Sequence, residues 1–263
     1  MIGKIFKLFG KKKCLVLSGG AARGFAHIGV IKVLQENNIQ FDAVCGTSMG
    51  SIIGAMYATG MKWQDMAELA RKVNFMKLLK LPKLNMGIIR IETLVNYLSK
   101  YILPVKRFDK LKIPFISVCV DIENAEIFPI CEGDLVSAVA GSCAIPGIFT
   151  PLKYQNRLLV DGGVLANFPV SIAKKYGYSL ILGVNVQKYF YKEKIKNVFD
   201  ILIKAFEMRN MLLDKMEEKE CTVFLAPKLS PYSGANFNKA EDIIKTGEEI
   251  ALEHLNNIKK YFK

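Results

Sequence analysis

Short apolar runs alternate along this chain with longer segments in which apolar residues recur at helical spacing. Six runs have the length and composition of buried strands: Cys14–Leu17, Asp42–Cys45, Pro114–Val120, Arg157–Asp161, Leu180–Val186 and Thr222–Ala226. Helical periodicity predicts helices over residues 25–37, 48–59, 63–73, 91–101, 134–140, 170–176, 197–219 and 239–259. Strands that alternate with helices favour parallel pairing through crossover connections, so the sequence predicts an α/β fold.

Two basic segments stand outside this alternation. In residues 1–13 the apolar side chains gather on one helical face and the lysines on the other, as in a helix on an anionic lipid surface. A frayed, solvated terminus is an equally open alternative. The Leu-rich stretch 77–83 contains Pro82, which argues against a continuous helix, and a surface connection is favoured there over a lid or membrane-facing loop. Residues 14–263 are expected to form a single domain.

The composition suits a globular protein. The 263 residues are 51% hydrophobic and 23% charged, which disfavours a disordered chain, a collagen or a coiled coil. We expect neither a membrane span, which needs roughly 18 consecutive apolar residues, nor a secretory leader. Six cysteines without a close pair, most of them in apolar runs, indicate small buried side chains in a reducing compartment. The expected location is the cytoplasm.

The formal net charge of +13 attracts polyanions, which include nucleic acids, anionic membrane faces and acidic substrates. Charge alone does not choose among these classes. No nucleic-acid partner is expected, because the lysines are scattered and no aromatic and basic recognition motif accompanies them.

The clearest chemical motif is the turn between the second predicted strand and the following helix. It reads Gly46-Thr47-Ser48-Met49-Gly50 and has the form of a nucleophile elbow. A strand-to-helix turn this tight leaves almost no room for a side chain two residues before and two residues after the serine, hence Gly46 and Gly50. Ser48 is then expected at the carboxyl end of the sheet, near the positive end of the helix.

A glycine loop between the first predicted strand and helix precedes the elbow. It contains Gly19, Gly20, Ala21, Arg23 and Gly24. A dinucleotide-binding loop is a weak alternative, because the middle glycine position of that fingerprint holds Ala21. Backbone N–H groups of consecutive small residues at a helix N-terminus also stabilise an oxyanion, which suits an adjacent serine. Arg23 either holds the shape of the loop, helps to bind a phosphate or is a surface charge.

An acidic residue ends the fourth predicted strand. Asp161 is followed by Gly162 and Gly163, which allow the chain to turn sharply. A carboxylate at the carboxyl end of a strand is well placed for the catalytic edge of an α/β sheet. Because Asp161 lies far from Ser48 in the sequence, only folding brings the two together.

A serine nucleophile must lose its proton, usually to histidine, and the chain contains only His27 and His254. The order Ser48, Asp161, His254 is that of an α/β-hydrolase triad, and this alternative stays open. However, His254 falls within the apolar stripe of a predicted helix, which favours a core position. Asp161 acting directly on Ser48 is the preferred interpretation.

These three motifs, in this order, resemble the patatin-like phospholipases, in particular their short bacterial members. The resemblance runs from residue 14 to about residue 227 and includes the further blocks 133–135, 142–151 and 161–170. It implies a three-layer α/β/α patatin-like fold with a mainly parallel central sheet, and an activity that hydrolyses acyl lipids.

The resemblance also implies roles for individual residues. Ser48 is the expected nucleophile, Asp161 its base, and the backbone amides of Gly19, Gly20 and Ala21 the oxyanion hole. The family usually has glycine where this chain has Ala21. A methyl group there keeps the N–H donor but disfavours positive φ and narrows the pocket.

The implied reaction is a two-step acyl transfer that needs no metal or cofactor. Its expected partners are a phospholipid or lysophospholipid substrate and an anionic membrane surface, with the enzyme held on the inner membrane face by its basic residues. Two alternatives are a catalytically silent lipid-binding or regulatory protein with the same fold, and an α/β-hydrolase-type esterase that uses His254.

Overall fold

The computed structural model describes residues 11–72, 89–189, 195 and 198–263. The first ten residues of the basic N-terminal segment and the stretch 77–83 lie outside the described residues, so the interpretations of both stay predictions.

A central sheet runs through the described part of the chain, with strand order β5-β6-β3-β2-β1-β7-β8 and β4 paired to β3. The strands are β1 (Lys13–Leu17), β2 (Ala43–Thr47), β3 (Phe115–Asp121), β4 (Glu126–Ile130), β5 (Leu152–Tyr154), β6 (Arg157–Asp161), β7 (Leu180–Val184) and β8 (Val223–Leu225). The pairs β1–β2, β1–β7, β2–β3 and β7–β8 are parallel. The pairs β3–β4, β3–β6 and β5–β6 are antiparallel. The predicted mainly parallel sheet is confirmed.

The sequence-based prediction missed β4 and β5. Both are antiparallel strands with several half-exposed or exposed side chains, and β4 contains Pro129. They therefore lack the continuous apolar run by which a buried parallel strand is identified.

The helices follow the predicted periods closely. They are α1 (Ala26–Glu36), α2 (Met49–Ala58), α3 (Trp63–Lys72), α4 (Ile91–Tyr97), α5 (Leu135–Ser142), α6 (Val170–Lys175), α7 (Val198–Glu218), α8 (Ala240–Glu253) and α9 (Leu255–Phe262). The predicted helix 91–101 is α4 followed by a π-helical turn, Leu98–Ile102. The predicted helix 239–259 is wrong as one unit, because His254 leaves the helical conformation and separates α8 from α9.

Apolar side chains cover both faces of the sheet. Leu15 and Leu17 of β1 join a large core with α1, α2, α5 and α8, whereas Cys14 and Val16 join a smaller core with α6 on the opposite face. The predicted three-layer α/β/α architecture is confirmed by this alternation.

Among the described residues, no helix is both long and apolar enough to cross a bilayer. The six cysteines are free and four are buried, but Cys131 is exposed, contrary to the prediction.

Strand β3 aligns the two strands that carry the site. One edge of β3 pairs with β4. The other edge pairs first with β2, where Val118 lies opposite Thr47, and then with β6, where Cys119 lies opposite Asp161. Along β3, the pairing with β6 therefore starts at the residue after the last one that pairs with β2. As a result, the last residue of β6 meets the turn that follows β2.

Candidate active site

The turn after β2 holds Ser48 in a backbone conformation that side-chain-bearing residues rarely adopt, with φ 53° and ψ −123°. A Cβ atom on Gly46 would lie 2.4 Å from the carbonyl oxygen of Gly50. A Cβ atom on Gly50 would lie 2.3 Å from the carbonyl oxygen of Leu17. Because these neighbours are backbone atoms, the glycines on either side of the serine are required by the close approach of β1, β2 and α2.

The Ser48 hydroxyl donates a hydrogen bond to the Asp161 carboxylate. Ser48 Oγ lies 2.7 Å from Asp161 Oδ2, and the two residues are only 9% and 5% exposed. The other carboxylate oxygen, Oδ1, accepts a hydrogen bond from the Gly163 N–H at 2.7 Å. A Cβ atom on Gly162 would lie 2.2 Å from the carbonyl oxygen of Val118, so the turn after β6 fits against β3 only without a side chain there.

Burial raises the pKa of Asp161 from 3.8 to about 6, although the hydrogen bonds from Ser48 and Gly163 favour the ionised form. The buried carboxylate is therefore a stronger base than an exposed one and is still largely ionised at neutral pH. A carboxylate at hydrogen-bond distance is placed to accept the serine proton as the oxygen attacks a carbonyl carbon.

Ser142 of α5 fixes the elbow from the other side, and sequence reasoning did not single it out. Its hydroxyl accepts a hydrogen bond from the backbone N–H of Ser48 at 2.9 Å and donates one to the Val118 carbonyl at 2.6 Å. The only signal was its place at the start of the block 142–151. A serine in a run of small residues does not by itself indicate these partners.

The glycine loop lies directly against the elbow. A Cβ atom on Gly19 would lie 3.2 Å from Ser48 Cβ. The Gly19 N–H donates to the Asn167 carbonyl at 3.0 Å, so this amide is engaged within the protein. Among the described residues, the N–H groups of Gly20 and Ala21 have no such acceptor. Ala21 adopts the positive φ that its methyl group disfavours, 48°.

Arg23 is buried and connects the glycine loop to α7. Its guanidinium forms an ion pair with the Glu207 carboxylate, and both side chains are largely buried. The interpretation of Arg23 as a surface charge is therefore wrong, whereas a role in holding the loop fits its position. Gly24 faces the elbow helix α2, since a Cβ atom there would lie 2.3 Å from Met49 Cγ.

Neither histidine is hydrogen-bonded to Ser48 or Asp161 in the described part of the chain. His27 is fully buried, and its Nε2 donates to the Ser18 carbonyl at 2.9 Å. Burial lowers the pKa of His27 to about 4, so its ring is neutral. The Nδ1 atom of His254 lies 3.0 Å from the Ile250 carbonyl, one helical turn earlier. This geometry does not support the triad alternative.

Asp214 of α7 holds two asparagines behind the glycine loop. Its Oδ2 accepts hydrogen bonds from Asn167 Nδ2 at 3.1 Å and from Asn185 Nδ2 at 3.0 Å. Asn167 in turn accepts the Gly19 N–H, so the network reaches the loop. Burial raises the pKa of Asp214 from 3.8 to about 7. Sequence reasoning missed this residue, because an acid in a polar stretch of helix gives no sign that it points inward.

The described residues contain no group of three or more histidine, cysteine or acidic side chains arranged to hold a metal ion. The groups that the structure places at the elbow are the Ser48 hydroxyl, the Asp161 carboxylate and the neighbouring backbone amides.

Known proteins resemble this chain across the motifs that build the site. The family profile described as patatin-like phospholipase matches residues 15–174, which include the glycine loop, the elbow and Asp161. An uncharacterised NTE family protein of Mycobacterium tuberculosis is 32% identical over 175 residues, which are 65% of this chain and 48% of that protein. Lysophospholipase NTE1 of Pyricularia oryzae is 26% identical over 292 residues, covering 96% of this chain and 19% of the relative. This chain thus spans less than half the length of either relative.

A solved structure shows the same fold. VipD from Legionella pneumophila superposes with a TM-score of 0.62 at 14% sequence identity, covering 96% of this chain and 67% of VipD. At this identity the likeness concerns the arrangement of helices and strands alone.

Proposed function

The chain belongs to the patatin-like phospholipase family, and on that premise we propose that it is a serine acyl hydrolase that cleaves the ester bonds of phospholipids or lysophospholipids. The observation that carries the proposal is the 2.7 Å hydrogen bond from the Ser48 hydroxyl to the buried Asp161 carboxylate, beside the glycine loop. The substrate class rests on the family and on the fungal relative, which is named a lysophospholipase.

Acylation begins when Ser48 Oγ attacks the carbonyl carbon of the ester while Asp161 Oδ2 accepts the hydroxyl proton. The negative charge that develops on the carbonyl oxygen is stabilised by the backbone N–H groups of Gly20 and Ala21. The tetrahedral intermediate collapses and expels the alcohol, which takes the proton from Asp161. The acyl group stays on Ser48 as an ester.

Deacylation repeats these steps with water. Asp161 accepts a proton from the water molecule as its oxygen attacks the acyl carbon, and the same two amides stabilise the second oxyanion. Collapse breaks the bond to Ser48 Oγ, which recovers the proton from Asp161. The fatty acid leaves, and the free enzyme is restored without a metal or a redox partner.

The proposal includes an anionic membrane surface as the place where the substrate is met, on the cytoplasmic side. The net charge of +13 supports this part, because a cationic protein is attracted to a leaflet that carries anionic lipids.

A fluorophosphonate probe tests the nucleophile and its base in the full chain. Wild type is expected to label at Ser48, as located by mass spectrometry of the labelled peptide, and Ser48→Ala to remain unlabelled. Asp161→Asn is expected to lower ester hydrolysis about a hundredfold or more, since it removes the general base. Ser51→Ala is the matched control, because the Ser51 hydroxyl is buried three residues further on, in α2, and pairs with Ser117 and no carboxylate.

Three results would contradict the mechanism. Absence of labelling and of hydrolysis in wild type would favour the catalytically silent lipid-binding protein. Hydrolysis lost in His254→Ala as well as in Asp161→Asn would favour the triad of Ser48, Asp161 and His254. The pH profile gives an independent check: kcat/KM, which reports the ionisation of the free enzyme, is expected to rise with pH around 6, where Asp161 ionises, and a profile flat from pH 5 to 8 would exclude Asp161 as the base.

A further inference from the structure

Helix α7 carries an exposed apolar stripe. Of the fourteen large hydrophobic side chains that are exposed among the described residues, seven lie on this helix: Val198, Ile201, Leu202, Met208, Leu212, Leu213 and Met216. Met216, Val198 and Leu212 are the most exposed, at 72%, 68% and 67%. At about 100° per residue, all seven fall within an arc of about 140°. These seven residues are called the α7 stripe below.

The opposite side of α7 is polar and binds the body of the protein. Glu207 pairs with Arg23 of the glycine loop, and Asp214 accepts hydrogen bonds from Asn167 and Asn185. Glu217 accepts the backbone N–H of Ser171, and Glu218 pairs with Lys188. The helix is thus inverted relative to an ordinary surface helix, since its polar side faces inward and its apolar side faces outward.

The charged residues near α7 follow the same division between an inner and an outer side. The acidic residues of α7 all project on its inner half: Asp200, Glu207, Asp214, Glu217 and Glu218. Lys215, which borders the α7 stripe, is exposed, and so is Lys219 in the turn that follows the helix. An apolar surface bordered by lysines and free of carboxylates complements the boundary between anionic headgroups and acyl chains.

Helix α7 also contacts the turn that follows Asp161. Arg209, a basic residue that falls within the same arc of α7, donates a hydrogen bond to the carbonyl of Gly163, in the turn that follows the aspartate. Leu165, two residues beyond, is a further exposed apolar residue. The helix that presents the stripe is therefore attached both to the glycine loop and to the aspartate turn.

We propose that the α7 stripe is the surface by which this protein docks on a lipid bilayer, which brings the Ser48–Asp161 pair to its substrate. Contiguous exposed apolar surface of this kind marks an interaction site in a soluble fold. A second copy of the chain is the less favourable occupant, because association would bring together two molecules that each carry a charge of +13. The inference rests on the proposed function for its substrate but not for its binding test.

Vesicle sedimentation of the full-length chain tests the surface. Binding is measured in a Ser48→Ala background, so that the result does not depend on hydrolysis, with phosphatidylcholine vesicles that contain or lack phosphatidylglycerol. The variant Leu212→Gln/Met216→Gln is expected to reduce binding roughly tenfold or more, because each side chain loses the apolar area it would bury in the acyl region. Ile122→Gln/Leu252→Gln is the matched control, since it removes two exposed aliphatic residues that lie away from α7.

Hydrolysis supplies the second measurement, in the chain that retains Ser48. The α7 variant is expected to lower the ratio of vesicle hydrolysis to hydrolysis of a water-soluble short-chain ester, whereas the control variant leaves that ratio as in wild type. If wild type hydrolyses neither substrate but the α7 variant still loses vesicle binding, the proposed function fails and the docking surface stands.

Other outcomes would overturn the docking surface. Equal vesicle binding by the α7 variant and the control would do so directly. A wild type that sediments as a dimer, with a monomeric α7 variant that binds vesicles normally, would assign the stripe to a second copy. A lower Tm for the α7 variant together with unchanged vesicle binding would assign it to another segment of the same chain.

Discussion

The glycine loop after β1 and the elbow after β2 lie side by side, and a side chain added to their glycines would meet different kinds of atoms. The strands pair in parallel, with Leu17 opposite Gly46, and each runs through glycines into a helix. In the elbow, a side chain on Gly46 or Gly50 would meet backbone oxygens. In the loop, a side chain on Gly20 would meet the side chain of Val186. Main-chain atoms thus leave no room for a side chain in the elbow, whereas the atom nearest to a side chain on Gly20 in the loop belongs to another side chain.

This difference matches what each turn contributes to the proposed reaction. The elbow must present one hydroxyl in one direction, and a strained Ser48 persists there because its backbone has no room to relax. The loop must present backbone N–H groups, and its shape depends on tethers such as the Arg23–Glu207 ion pair and the bond from Gly19 to Asn167. We therefore expect the elbow to tolerate no change and the loop to respond to changes in its neighbours.

The largest difference is expected between Gly50→Ala and Gly20→Ala. Gly50→Ala places a Cβ atom 2.3 Å from the Leu17 carbonyl oxygen, and we expect it to lower the free energy of unfolding by about 3 kcal/mol and to abolish hydrolysis. Gly20→Ala places its Cβ atom 2.4 Å from Val186 Cγ2, which is a side-chain atom, and about 1 to 2 kcal/mol is expected. Urea denaturation and ester hydrolysis measure both effects.

A rescue experiment sharpens this comparison. Val186→Ala removes the atom that Gly20→Ala would contact, so the double variant is expected to be more stable than the sum of the two single changes by about 1 kcal/mol. Leu17→Ala offers no such relief to Gly50→Ala, because the carbonyl oxygen of residue 17 remains. Additive effects in the first pair, or rescue in the second, would remove the distinction between the two turns.

An intermediate effect is expected from the pH dependence of Asp214, which binds Asn167 and through it supports the glycine loop. Burial raises the pKa of Asp214 from 3.8 to about 7, so the folded protein binds this proton more tightly than the unfolded chain. Stability from this group is complete below about pH 4 and is lost as the pH rises through 7. Asp214→Asn is expected to flatten the wild-type decline in unfolding free energy over this range by about 1 kcal/mol or more.

Asp161 provides the comparison for that measurement. Its pKa is raised to about 6, so Asp161→Asn is expected to flatten the decline over a window that ends one pH unit lower. Urea midpoints measured from pH 4 to pH 8 separate the two contributions. A wild-type midpoint that rises with pH over this interval, or identical slopes in wild type and Asp214→Asn, would show that burial does not govern the Asp214 proton.

The smallest effect is expected from Ala21→Gly. Ala21 has φ 48°, and glycine removes the cost of that conformation. Glycine also raises the entropy of the unfolded chain, and after this loss is subtracted we expect a gain in stability of about 0.5 to 1 kcal/mol. Ala125 has φ 53° in the exposed turn between β3 and β4, which makes Ala125→Gly the matched control. Thermal unfolding compares the two variants.

Measurements of hydrolysis distinguish Ala21→Gly from Ala125→Gly. Only Ala21→Gly is expected to change the preference among acyl chain lengths, because the Ala21 methyl group stands beside a proposed oxyanion donor. A Cβ atom on Gly234 would lie 3.3 Å from that methyl group. If both variants change hydrolysis alike, the Ala21 methyl group has no particular role in the loop.

Much of the fold followed from local patterns. The apolar runs located the parallel strands and the helical periods located most helices, because both signals are carried by neighbouring residues. The antiparallel strands β4 and β5 escaped because they are short and partly exposed. The break at His254 escaped as well, since the apolar stripe continues across it while the backbone does not.

The sequence by itself determined the residue types of the candidate site, since each motif is a run of a few residues: the serine between two glycines, the small-residue loop and the aspartate before two glycines. Tertiary structure alone decided that Ser48 and Asp161 lie 2.7 Å apart, because that distance depends on the pairing of β2 and β6 along the same edge of β3. It also decided that the Gly19 amide is occupied, that Ser142 and Asp214 support the two turns, and that α7 turns its apolar side outward. Contacts between residues distant in the chain arise from the packing of the whole sheet and its helices, which no local pattern encodes.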